Sequence, residues 1–162
     1  MIYCTFVTHF FTPMSIEKDI HQKTFKNPYQ KVIINLMYTH SWLTTHQSKR
    51  LKPFGLTLQQ YNVLRILRGQ HPKPATVNLI IERMLDKMSN ASRLVDKLLV
   101  KELVERHVCS HDRRAVDVKI TEEGLNLLKK IDVLQDEWEK TFKSLSQEEA
   151  SQLSDLLDKM RD

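Results

Sequence analysis

The chain has 162 residues, 28% of them charged, three glycines and a net charge of +5, which suits a helix-rich single domain with a substantial core. Two cysteines, Cys4 and Cys109, exclude a disulfide framework, and no stretch approaches the roughly 18 apolar residues of a membrane span, so the chain reads as cytoplasmic. The charge is unevenly spread: residues 1–86 carry +7, residues 87–120 carry +3 and residues 121–162 carry −5. A basic front and an acidic end suit a protein that turns one side toward a polyanion, though an uneven surface alone would look the same.

Residues 1–26 read as an N-terminal extension. Its start, MIYCTFVTHFFTPM, is apolar and aromatic but lacks the charged n-region and cleavage site of a signal peptide. Residues 1–13 are expected to be poorly ordered, as a start codon placed too early would give. Asn27-Pro28 is an N-cap followed by proline at the first helical position. A long helix over 27–55 then carries Tyr29, Ile33, Leu36, His40, Leu43, Gln47 and Leu51 on one side, with Met37 beside them, and ends at the breaker Pro53-Phe54-Gly55.

Thr57-x-x-Gln60 is a capping box opening a helix that should end near Gly69. After the loop Gln70–Pro74, Thr76 can cap a short helix in which Val77, Ile80, Ile81, Met84 and Leu85 are apolar. Asp86-Lys87-Met88 is a short turn. Ser89 is the expected N-cap of the next helix, in which Ala91, Leu94, Val95, Leu98 and Leu99 form one buried face. The other side carries Asn90, Arg93, Lys97 and Lys101, with Ser92 near its start. Small polar residues and an arginine in a first helical turn suit the reading of base edges in a major groove, although helical patterning by itself names no partner.

Leu103–Cys109 looks extended, and Val116, Val118 and Ile120 alternate with Asp117 and Lys119 as in a half-buried strand. The loop between them is tipped with Arg113 and Arg114, and guanidinium groups are drawn to a narrow minor groove. Asp112 is close enough to pair with Arg114 and orient it. Two short helices joined by a turn and followed by a β-hairpin make a winged helix-turn-helix over 56–120.

Thr121 can cap the next helix, with Glu122 and Glu123 complementing its dipole. Leu127, Ile131, Leu134, Trp138 and Phe142 form a long apolar stripe. Ser146-x-x-Glu149 is a second capping box, before a helix with Leu153, Leu156, Leu157 and Met160 on one face. The fold expected is mainly α with a small β-hairpin. In it the winged helix is flanked by dimerisation helices at 27–55 and 121–162, for which an enlarged monomeric core is the alternative.

His107, Cys109 and His111 alternate, so a regular strand would turn all three to one side, the donor chemistry of a metal or redox site. A wing strand needs an outward polar face in any case, so no metal and no cofactor is expected. Redox or metal sensing through Cys109 stays an alternative. Tyr38, His40 and Trp42 lie on the first long helix, where core or dimer packing is the more common role of such residues and a small-molecule pocket is the alternative. No glycine-rich phosphate loop or nucleophile-base set is present, so the chain reads as no enzyme.

From Leu56 to Trp138 the sequence resembles the multiple-antibiotic-resistance-regulator (MarR) family of bacterial transcription factors. The residues that carry this are Leu94-Val95-Asp96-Lys97-Leu98, Leu103-Val104-Glu105-Arg106, Asp112-Arg113-Arg114-Ala115-Val116 and Ile120-Thr121-Glu122-Glu123-Gly124. The resemblance implies a homodimer that binds an inverted-repeat operator in double-stranded DNA, usually as a repressor. It assigns major-groove contacts to Ser89, Asn90, Ser92 and Arg93, and phosphate contacts to Lys87 and Lys97. Arg114 becomes the minor-groove residue, Asp112 its orienting partner and Arg113 a backbone contact. It further implies release by a small aromatic or phenolic effector. A protein-binding winged helix with no operator is the alternative reading. Where the family often has glycine after the recognition helix this chain has Glu102, and a left-handed residue there should cost on the order of 1 kcal/mol.

Overall fold

The computed structural model describes residues 15–108, 116–134 and 144–162. Its elements are α1 (Ile16–Asp19), α2 (Pro28–Leu51), a 3-10 turn (Lys52–Phe54), α3 (Leu58–Gln70), β1 (Ala75–Thr76), α4 (Val77–Arg83), α5 (Ala91–Val100), β2 (Val104–Val108), β3 (Val116–Ile120), α6 (Glu122–Asp132) and α7 (Gln147–Lys159). The chain divides into two units, residues 1–47 and 48–162.

In the first unit, α2 begins as its sequence dictates. The Asn27 side chain accepts from the Gln30 N–H at 2.9 Å, and the Gln30 side chain accepts from the Lys26 N–H at 2.7 Å. Proline at N1 loses no bond there, because the first helical N–H groups have no partner within the helix. Much of the apolar side of α2 is open in the single chain: Tyr29 is 79% exposed and Met37 68%.

The second unit is built on one core. Leu51 from the end of α2 joins Leu64 and Leu67 of α3, Ile80 of α4, Val95 and Leu98 of α5, Val118 of β3, and Leu128 and Ile131 of α6, all essentially inaccessible. Burying each such side chain stabilises the fold by about 1.5–3 kcal/mol. Gly55 ends the 3-10 turn in the left-handed region (φ 66°), and the Thr57–Gln60 capping box then opens α3 with both of its bonds formed. Arg68 reaches Asp132 at 2.5 Å and Arg65 lies 3.8 Å from the same carboxylate, joining α3 to α6.

The sheet has three antiparallel strands in the order β1-β3-β2, where the sequence pointed to a two-stranded hairpin. The hairpin register runs from Val104 opposite Ile120 to Val108 opposite Val116, and Ala75 pairs with Val118. A two-residue strand is too short for any alternation to announce it. It forms because Ala75 is small enough to be buried against the sheet just before Thr76 caps α4.

α6 starts at the expected Thr121 cap, but its buried positions are Gly124, Leu128 and Ile131, with Leu127 half-buried. Trp138 and Phe142 lie outside the described residues, as do residues 1–13 of the extension. The Ser146–Glu149 box caps α7, whose apolar face is open: Leu156 is 63% exposed and Met160 54%.

Two backbone sites generate predictions. Glu102 has φ 59°, the left-handed conformation that a glycine would adopt without strain. Glu102→Gly should therefore raise stability by roughly 0.5–1 kcal/mol, read as a higher urea midpoint at unchanged slope. Gly124 is the opposite case. A Cβ there would lie 2.7 Å from Ile120 Cγ1 and press on the Leu103 carbonyl, so Gly124→Ala should destabilise by roughly 1–3 kcal/mol in the same measurement.

Candidate nucleic-acid interface

The second helix of the helix-turn-helix is α5. Ala91, Val95 and Leu98 are buried and Leu94 and Leu99 half-buried, which seats the helix on the core and leaves its other side in solvent. Asn90, Arg93 and Lys97, spaced three and four apart, lie along one exposed stripe, and Ser92 is exposed beside it. Among the described residues, neither Arg93 nor Lys97 pairs with a carboxylate.

The start of α5 corrects one expectation. Asn90, not Ser89, is the N-cap: its Oδ1 accepts from the Arg93 N–H at 3.0 Å. Ser89 is held one residue earlier by Asp86, whose carboxylate accepts from the Ser89 hydroxyl at 2.7 Å and from the Met88 N–H at 3.0 Å. Those two bonds, the hydroxyl first, hold the Asp86 carboxyl below its usual range and keep it ionised. The turn is also tied to α3, because the Leu85 N–H donates to Asn62 Oδ1 at 3.0 Å. The Lys87 ammonium sits on the Ile81 and Glu82 carbonyls at the end of α4, where a cation complements the helix dipole.

The far end of α5 is braced in two places. Lys101, expected on the open side of the helix, reaches back to the Gly55 carbonyl and to Gln60 Oε1 at 3.2 Å, and Gln60 is only 3% exposed. Asp96 accepts from Arg106 of β2 at 2.8 Å, joining the recognition helix to the wing strand. Both residues belong to motifs quoted above, yet no spacing within one element could announce a pair that spans the helix-to-strand turn.

The wing-tip residues Asp112, Arg113 and Arg114 lie outside the described residues, and so do Cys109 and His111. His107, the described member of the alternation, has Nε2 3.0 Å from Glu105 Oε1. Among the described residues, no group of three His, Cys, Asp or Glu is placed to hold a metal ion. None of the described helices is long and apolar enough to cross a membrane.

The first unit contains a groove of about 280 Å³ between α1 and α2. Tyr38 and Trp42 line it, together with Ile16, Lys31, Asn35 and Thr39; His40 does not. The expected trio is thereby split, because two residues along a helix turn the side chain by about 200°. Lys31 pairs with Glu17 across the groove at 2.6 Å, and this bond is the chief cause that holds the Glu17 carboxyl below its usual range. Trp42 stacks on His46 with ring centres 4.7 Å apart.

Residues 54–115 match the sequence pattern of the MarR family. Over 130 residues, 78% of this chain and 87% of the relative, the sequence is 29% identical to the HTH-type transcriptional regulator MhqR of Bacillus subtilis. The structure is similar to that of S. aureus MepR in complex with DNA, with a TM-score of 0.69 and 28% identity over 78% of this chain and 93% of that one. A MarR-like transcription regulator from Bacillus cereus shares the fold, with a TM-score of 0.73 and 20% identity over 82% and 95% of the two chains.

Proposed function

Because this chain belongs to the MarR family of transcriptional regulators, we propose that it is a homodimeric repressor that binds an inverted-repeat DNA operator and releases it when a small effector binds. The observation that carries the DNA-binding part is the exposed stripe Asn90, Arg93 and Lys97 on the second helix of a helix-turn-helix, braced by Asp96–Arg106 against the wing strand. Such a helix fits a major groove about 12 Å wide. In this reading Ser89, Asn90, Ser92 and Arg93 face base edges, while Lys87 and Lys97 neutralise phosphates. Arg114 enters the minor groove, oriented by Asp112, and Arg113 contacts the sugar-phosphate backbone, on the strength of the wing motif. The binding is salt-dependent, as phosphate contacts release counterions.

Dimerisation is supported by the open apolar residues of α2 and α7, which water would otherwise cover at a cost proportional to their area. The α1–α2 groove supports the effector part. Tyr38 and Trp42 offer rings for an aromatic or phenolic molecule, and Asn35 and the Lys31–Glu17 pair offer polar groups beside them.

Three measurements test this. A gel shift with the gene's own upstream DNA should show specific binding that weakens steeply between two salt concentrations; equal binding to unrelated DNA would sink the operator reading. Arg114→Ala should weaken operator binding at least tenfold while sedimentation still reports a dimer, and unchanged affinity would overturn the wing assignment. Arg93→Ala should change base preference by about 1–3 kcal/mol at the position it reads, so an unaltered preference in a selection from random DNA would remove Arg93 from the base-reading set.

A further inference from the structure

We infer that Met88, supported by Leu85, reads thymine in the operator by packing on its C5 methyl group. This rests on the proposed placement of α5 in the major groove, and adds an apolar contact to the polar ones assigned there.

The cause lies where α4 stops. Ile80 and Met84 are buried in the core. The helix ends at Arg83, and Met84 is already extended (φ −64°, ψ 140°), so the chain leaves the helical path at that residue. Leu85, which the sequence places on the apolar side of α4, is turned out instead and is 88% exposed. Met88, three residues on, is 93% exposed. The backbone holds both in place. The Leu85 N–H donates to Asn62 Oδ1 of α3 at 3.0 Å, and the Met88 N–H to the Asp86 carboxylate at 3.0 Å. The first of these bonds ties the turn to a different helix, so the exposure belongs to the fold.

Two large apolar side chains standing in water carry a hydration cost that a partner surface would relieve. The charges around them select the partner. Lys87 lies between the two in the chain, and Arg93 and Lys97 follow on the exposed stripe of α5. A protein surface covering this pair would have to take those cations out of water, whereas duplex DNA neutralises them. The N-terminal end of the second helix is the part of a helix-turn-helix that meets base edges, and Met88 stands two residues before the Asn90 cap. Among the base edges of the major groove, the apolar group on offer is the thymine methyl. Methionine suits it, because an unbranched, polarizable side chain can follow a methyl group whose position the duplex fixes. Leu85 adds a second apolar side chain to the same turn.

The experiment removes the methyl group and nothing else. Deoxyuridine pairs as thymidine does and keeps the O4 acceptor, but lacks the C5 methyl. The operator selected by the wild type is remade with deoxyuridine at each thymine in turn. Binding is then measured for full-length wild type, Met88→Ala, Met88→Leu and Leu85→Ala. At one thymine in each half-site the wild type should lose roughly fourfold in affinity, the worth of one buried methyl. Met88→Ala should bind the thymine operator more weakly by a similar factor and be indifferent to deoxyuridine at that position. Met88→Leu should keep most of the penalty, and Leu85→Ala should reduce it. Both side chains are exposed, so each variant should melt within about 2 °C of the wild type. The inference is overturned if no deoxyuridine weakens wild-type binding, or if Met88→Ala retains the full penalty at every thymine. It is also overturned if Met88→Ala sediments as a monomer where the wild type is a dimer, since the turn is then a subunit contact. A wild type that selects no sequence overturns the operator reading and this inference with it. Operator binding that ignores the methyl groups overturns this inference alone.

Discussion

Thr121 joins the end of the recognition helix, both wing strands and the start of α6. Its N–H donates to the Leu103 carbonyl at 3.1 Å, its hydroxyl donates to the Glu102 carbonyl at 2.8 Å, and the same oxygen accepts from the Gly124 N–H at 3.1 Å. The Leu103 carbonyl in turn lies against Gly124, which has no side chain to displace it. Glu102 must go left-handed for its carbonyl and that of Leu103 to reach this point within two residues of α5. The angle between recognition helix and wing is therefore set by the hydrogen bonds of Thr121, through its N–H and its hydroxyl, to the main chain around it, whose geometry is narrow, and reinforced by the more solvent-exposed Asp96–Arg106 pair.

The same logic runs through the DNA-facing end. A helix must satisfy its first N–H groups, and the turn before α5 must be held on α3. Asn90, Ser89, Asp86 and Asn62 do that work. Residues that look like free polar groups in the sequence are already bonded inside the protein. Arg93 and Lys97 differ: their charged ends carry no such internal duty among the described residues, which suits them to contacts with the nucleic acid.

The first unit has a different character. Its groove brings a cation, an aromatic pair and an amide together around the Lys31–Glu17 bridge, while much of the apolar side of α2 stays in solvent. A groove of that size can enclose a small ring system only when something closes over it.

Local rules made much of this protein legible from its sequence. The caps at Asn27, Thr57, Thr76, Thr121 and Ser146 all act over three residues, so their partners are visible in a linear chain. The apolar face of α5 and the alternation of β3 repeat with the period of their own element. The split of Tyr38 and Trp42 from His40 was also available from helical period alone. Tertiary contact decided the rest. β1 exists because Ala75 meets Val118, forty-three residues away in the chain. Leu128 is buried more deeply than Leu127 because of the face α6 turns toward α3 and the core, not because of any difference between two leucines. Ser89 lost the cap to Asn90 because Asp86 captured its hydroxyl within a turn pinned by Asn62. Asp96 found Arg106, and Lys101 found Gln60, across turns whose course periodicity does not encode. Periodic patterns and caps report a residue's neighbours within one element; which polar groups remain free for DNA depends on partners that only folding brings near.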